Sequence, residues 1–113
     1  MTNADALDAA SLQDALAGTS PDLAAAFDLL SDETRLHIIQ ALFEHRREHP
    51  DQPAVPFSRL RSRAGVDDAG QFNYHLGRLR DRFVAKTDDG YTLTPAGEAV
   101  GALLVDSTVE SPA

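Results

Sequence analysis

A chain of 113 residues and 12.2 kDa holds one domain with one core, since chains divide only beyond about 250 residues, so a multidomain machine is excluded. Its 42% apolar and 25% charged residues are the proportions of a soluble globular protein, and no apolar run approaches the ~20 residues that span a bilayer. Zero cysteine removes disulfides, thiolate metal sites and cysteine nucleophiles together, and the acidic start MTNADALDAA is unlike a secretory leader, so the chain reads as cytoplasmic.

The net charge of −8 hides an uneven distribution. Residues 1–34 carry seven acids and no base, residues 35–86 ten bases against six acids, and residues 87–113 five acids and no base. An acidic chain with every base in its middle segment keeps positive charge there for a use. Asp outnumbers Glu 13 to 5 and Arg outnumbers Lys 9 to 1. Such a surface of short carboxylates with almost no lysine resembles the proteins of extreme halophiles, which stay hydrated in multimolar salt.

In chain order, residues 1–19 are Ala- and Asp-rich, with Leu7, Leu12 and Leu16 too sparse to anchor a helix, and read as a flexible or weakly helical acidic arm. The domain proper is expected over 20–106. Ser20-Pro21-Asp22 has the residues of a helix start, and Leu23, Phe27 and Leu30 share one face of a first helix over about 21–30. Ser31 recaps the chain for a longer helix with the stripe Leu36, Ile39, Leu42 and Phe43, ending near Glu48 before Pro50. Ala54-Val55-Pro56 reads as a very short edge strand. Phe57 to Ala64 makes a third helix stopped by Gly65, with Phe57 and Leu60 inward. Asp68 and Gln71 have capping-box spacing and open a fourth helix over about 69–81. Two β-prone runs, 83–87 and 91–93, flank Asp88-Asp89-Gly90 as a hairpin. Thr94-Pro95 caps a last helix over about 95–106 with Val100, Leu103 and Leu104 as its stripe, and 107–113 reads as a flexible tail.

This order is mainly α with a small β-hairpin wing, a winged helix-turn-helix whose third and fourth helices form the DNA-reading unit. The runs Leu29-Leu30-Ser31-Asp32-Glu33-Thr34-Arg35-Leu36, Phe57-Ser58-Arg59-Leu60, Gly70-Gln71-Phe72-Asn73-Tyr74-His75-Leu76 and Gly90-Tyr91-Thr92-Leu93-Thr94 carry a resemblance to ArsR-like winged-helix regulators, especially those of halophilic archaea. It covers roughly residues 22–105. The resemblance implies a dimeric transcription regulator whose fourth helix enters the major groove of double-stranded DNA.

The residues of the fourth helix can be placed on a wheel at about 100° per residue, with Phe72 at zero. Leu76 and Leu79 then fall beside Phe72 as the buried face. Gly70, Asn73, Tyr74, Gly77 and Arg78 fall opposite, with Gln71 at the flank. Gln71, Asn73, Tyr74 and Arg78 are the candidates for reading bases, because Asn and Gln bond adenine bidentately and Arg bonds guanine. Gly70 and Gly77 leave that face thin at a helix-propensity cost of roughly 1 kcal/mol each. His75, at the margin of the buried face, is expected to be structural, bonded to a backbone group or a neighbouring helix. Arg35 is expected to lean inward and pair with an acid. Ser58, Arg59, Arg61, Arg63, Arg80, Arg82 and Lys86 are candidates for phosphate contacts that fix register without reading sequence; the alternative is a salt-bridged surface offsetting the Asp. Leu23, Phe27, Val100, Leu103 and Leu104 are the candidate dimer interface, formed by the first and last helices.

Two features depart from the family pattern. The metal-sensing branch uses a Cys-containing motif that this chain lacks, so metal sensing at that site is excluded; no other metal site and no cofactor are expected. The hairpin tip Asp88-Asp89-Gly90 is acidic where a minor-groove wing is usually basic, which argues against close contact between tip and DNA. His45-Arg46-Arg47-Glu48-His49 reads H-x-x-E-H, an inverted zinc-protease pattern, but cations at a helix C-terminus account for the bases and no nucleophile-base pair accompanies them, so an enzyme is not expected. The competing function is a winged-helix protein-interaction module without DNA binding, in which each arginine pairs with an acid. Any signal, from an effector or a protein partner, would act at the dimer interface, through the acidic arm or through that partner.

Overall fold

The computed structural model describes residues 23–110, with side chains through 105. The arm expected over 1–19, the helix start at Ser20-Pro21-Asp22 and residues 111–113 lie outside the described residues. Helix α1 covers 23–30. It is followed by α2 Glu33–Glu48, α3 Phe57–Ala64, α4 Ala69–Leu79, β1 Val84–Thr87, β2 Gly90–Leu93 and α5 Pro95–Glu110. The layout is winged-helix-like, with an antiparallel hairpin set between the helix-turn-helix and the last helix.

Each junction has a local cause. Asp32, one residue later than the expected Ser31, caps α2: its carboxylate accepts from the Arg35 amide at 3.1 Å. Ser31 instead turns back, its hydroxyl donating to the Asp28 carbonyl at 2.7 Å. Gly65 ends α3 in the left-handed conformation, φ 74°, and the Asp68 carboxylate opens α4 by accepting from the Gln71 amide at 2.9 Å. Helix α4 stops at Leu79, two residues short of the expected end. Arg80 is extended and bridges to Val84, and Asp81 takes φ 75° with its amide bonded to the Val84 carbonyl. The start of the hairpin thus captures backbone that the helical pattern alone would continue.

The hairpin pairs Val84 with Leu93 through Thr87 with Gly90, leaving Asp88-Asp89 as the loop. Val55 adds a single antiparallel bridge to Tyr91, its amide and carbonyl both bonded at 2.9 Å, which is the short edge strand expected from Ala54-Val55-Pro56. Gly90 permits this approach, because at φ 139° a side chain there would strike the Val55 backbone. Thr94 caps α5 by accepting from the Gly97 amide, and its hydroxyl donates to the Arg82 carbonyl. Helix α5 runs to Glu110, four residues beyond its expected end and into the expected tail, since Pro112 is the first helix breaker after Pro95 other than glycine.

The core is centred on α2, which touches α3, α4, α5 and β2. Its buried residues Ile38, Ile39, Ala41 and Leu42 make a wider face than the expected stripe, with Leu36 and Phe43 only half-buried. Leu60, Phe72, Leu76, Leu79, Val55 and Val84 complete the fully buried set. Phe57 packs edge-on against Phe72 with ring centroids 5.0 Å apart. Among the described residues no helix is long and apolar enough to cross a membrane.

Candidate nucleic-acid interface

Helix α4 has one face committed to the core and one to solvent. Phe72, Leu76 and Leu79 are fully buried, whereas Gln71, Asn73, Tyr74, Gly77 and Arg78 are exposed, the division expected from the wheel. Tyr74 is 56% exposed, high for an aromatic side chain with a packed helix beneath it. A methyl group at Gly77 would meet nothing within 4 Å, so the fold does not require glycine there. At Gly70 it would come 3.2 Å from the Asp68 carboxylate that caps the helix.

The rotation of α4 is held by a buried polar cluster. The Arg35 guanidinium, 8% exposed, donates through Nε to the Leu29 carbonyl at 2.6 Å and through Nη1 to Nδ1 of His75 at 2.9 Å. Arginine only donates, so Nδ1 is the acceptor in this bond. His75 is therefore structural and bonded to the neighbouring helix, as expected. Arg35 leans inward but bonds a carbonyl and an imidazole, with the Asp32 carboxylate 3.9 Å from Nδ1 of His75. Burial pushes the Asp32 carboxyl up, but the Arg35 amide, nearby positive charge and the Thr34 amide together outweigh it and hold the group below the ordinary carboxylate range.

The candidate phosphate contacts are dispersed. Ser58, Arg59 and Arg80 are exposed, and Arg59 and Arg80 make no ion pair among the described residues. Arg61 is half-buried and spends its Nη1 on the carbonyls of Val66 and Asp67, tying down the turn before α4. Arg63 reaches Glu48 at 3.7 Å and Nδ1 of His45 at 3.4 Å, on the side of α3 facing the end of α2. Arg82 is half-buried between α4 and the hairpin. The Lys86 ammonium lies 5.7 Å from the centre of the Tyr91 ring, and the hairpin loop Asp88-Asp89 is exposed. Arg46 with Glu98, Arg63 with Glu48 and Arg78 with Asp28 form ion pairs.

The His45 and His49 rings of the H-x-x-E-H run lie 4.6 Å apart, but the residues of the run are engaged differently. His45 is buried and bonds the Gln52 carbonyl through Nε2 at 3.0 Å, which anchors the α2–α3 loop, while Glu48 and His49 are exposed. Among the described residues no three His, Cys, Asp or Glu side chains are grouped to hold a metal. Helix α5 lies tight on α2: a Cβ at Gly101 would sit 2.7 Å from the Phe43 side chain. Of the candidate dimer residues, Phe27 and Leu103 are 61% and 68% exposed, Leu23 is half-buried, and Val100 and Leu104 are half-buried against the core.

Residues 23–104 match a family described as a domain of unknown function, DUF7347. The chain belongs to that family. The DUF7347 match spans every element from α1 into α5, so it contains the whole winged-helix layout. No curated protein and no solved structure matches the chain. Within this DUF7347 domain, sequence reasoning overlooked two acids, Asp28 beside Arg78 and Asp32 beneath His75. Asp28 carries an available signal, a carboxylate near a helix C-terminus where the dipole disfavours it; Asp32 stands next to Ser31, the residue the sequence favours as the cap.

Proposed function

We propose that this protein is a sequence-specific DNA-binding transcription regulator that works as a cytoplasmic homodimer, as the resemblance to ArsR-like regulators implies. The observation that carries this reading is the outer face of α4. Asn73, Tyr74, Gly77 and Arg78 project from a helix whose other side is anchored by Phe72, Leu76 and Leu79, and Gln71 sits near its N-terminal end. These side chains match the hydrogen-bonding edges of adenine and guanine, and Gly77 lets the helix approach closely. Exposed Ser58, Arg59, Arg80 and Lys86 are the proposed phosphate contacts, which would fix register without reading sequence. Exposed Phe27 and Leu103 supply apolar surface for a second copy, which would present two α4 helices to half-sites about one helical turn apart.

One observation favours a second reading, a protein-interaction module. Arg46, Arg63 and Arg78 each lie against a carboxylate, and Arg61 is committed to the turn, so the basic residues do not form one uninterrupted face. Non-specific DNA affinity depends on such a face. Random-oligonucleotide selection in high potassium chloride, with mass measurement of the free protein, separates the two. Enrichment of a palindromic site by a dimer is the result expected of the regulator. No enrichment at any salt from folded protein refutes it and leaves the interaction module, to be pursued by partner capture.

A further inference from the structure

Arg78 does not stand alone on the outer face of α4. Its Nη2 lies 3.8 Å from the Asp28 carboxylate of α1, and its Nη1 lies 3.5 Å from the hydroxyl of Tyr74, one turn earlier on the same helix. The carboxylate serves no evident purpose in α1 itself. It sits in the last turn of that helix, where the dipole disfavours negative charge, and the Asp28 side chain is 74% exposed. Nor does the pair hold the fold together, because the Arg78 side chain is 43% exposed and ion pairs in water stabilise little.

We propose that Asp28 is a positioning residue that sets DNA specificity through Arg78, an inference that rests on the DNA-binding reading above. A guanidinium has five N–H donors. Asp28 lies 3.8 Å away, an ion-pair distance that consumes no N–H, and Tyr74 takes one donor at most, so donors remain for a bidentate contact to the O6 and N7 of guanine. Restraining a long, rotamer-rich side chain before binding lowers the ordering cost of that contact. The same carboxylate repels phosphate oxygens, so it weakens any complex in which Arg78 meets the backbone instead of a base. Both effects favour the correct site over other DNA: the first strengthens specific binding, the second weakens non-specific binding.

The test uses the site enriched by the full-length wild-type protein, its single-base variants and a scrambled duplex. Affinities are measured for wild type, Asp28→Asn, Arg78→Ala and the double variant. Asp28→Asn is expected to bind the scrambled duplex more tightly, and to lower base preference by about two- to fivefold, the range of an exposed charge pair, at the one position that Arg78→Ala flattens. In the Arg78→Ala background, Asp28→Asn should no longer change preference at that position. An equal shift on every duplex, or an equal loss of preference with and without Arg78, overturns the proposal and reduces Asp28 to a general surface charge. Failure of wild type to enrich any site overturns the DNA-binding reading itself, and this inference with it, before any variant is compared.

Discussion

Replacing Gly77 by alanine separates what α4 needs in order to fold from what its outer face is for. Glycine in a helix is less favourable than alanine by about 0.5–1 kcal/mol, because its backbone loses more freedom on ordering. At Gly77 the new methyl group has open space, with no atom within 4 Å, so no steric cost offsets that gain. Gly77→Ala should therefore stabilise the fold by about 0.5–1 kcal/mol, which raises the midpoint of thermal unfolding by about 2–8 °C for a domain of this size. The same methyl stands on the face assigned to the major groove. Holding the helix away from the base edges should weaken one bidentate contact, worth about 1–3 kcal/mol, and reduce specific affinity roughly tenfold or more. Circular dichroism melts and DNA titrations on the same preparation check both signs. A variant that is stabilised yet binds its selected site as wild type does would refute a close approach at Gly77; a destabilised variant would refute the account of the helix itself.

Arg78→Ala should lose about 1–3 kcal/mol of specific binding and relax preference at one base position, read by competition across single-base variants of the selected site. Asp32→Ala removes the cap of α2 and should cost about 0.5–2 kcal/mol in urea unfolding at pH 7. Because the folded-state Asp32 carboxyl is held below its ordinary range, its stabilisation is fully present above that range and lost as pH falls through the folded value. The gap between wild type and Asp32→Ala should accordingly narrow below about pH 4, and a gap that widens on acidification would contradict the cap geometry. Gly101→Val forces a side chain against Phe43 and should destabilise by about 1–3 kcal/mol, with partial recovery in a Phe43→Leu background. Leu103→Lys places a charge on exposed apolar surface and should halve the mass in solution and lower the melting midpoint by the lost contribution of association; an unchanged mass would refute Leu103 as an interface residue.

Local chemistry made most of the elements legible. The Asp68 and Thr94 caps, the Gly65 stop and the two β-prone runs each rest on interactions within a few residues, and each lies where the sequence puts it. The inward and outward faces of α4 were equally readable, since a helix packed on one side obeys a single period. Helix α2 was less so, because it is covered by α3, α5 and the hairpin at once and buries Ile38 as fully as Ile39. Its apolar face is broader than any one stripe. The early end of α4 rests on Asp81, which takes φ 75° and donates to the Val84 carbonyl, a turn that no glycine or proline announces in the sequence. The partners of Arg61, Arg63 and Arg78 were illegible for a related reason: a charged side chain can reach many surface positions, and only the packed helices decide which carboxylate or carbonyl is near.

The buried cluster beneath α4 links that packing to the recognition proposed for its outer face. Apolar contacts are non-directional, so Phe72, Leu76 and Leu79 alone would tolerate a small roll of α4 about its axis. Hydrogen bonds are directional, and the bond from Arg35 to His75 fixes one point on the helix circumference, while the bond from Arg35 to the Leu29 carbonyl ties the same guanidinium to the end of α1. Asp28 is the residue before Leu29, and Tyr74 is the residue before His75, with their ring centroids 5.2 Å apart. The inner bonds thus set the relative placement of α1 and α4 at the level where, on the surface, Asp28 and Tyr74 flank Arg78. Burying a guanidinium and an imidazole costs more than burying leucines of similar volume unless every donor and acceptor is satisfied, and here no buried side-chain nitrogen or oxygen among the described residues lacks a partner. That cost is tolerable where the roll of one helix decides which side chains face outward.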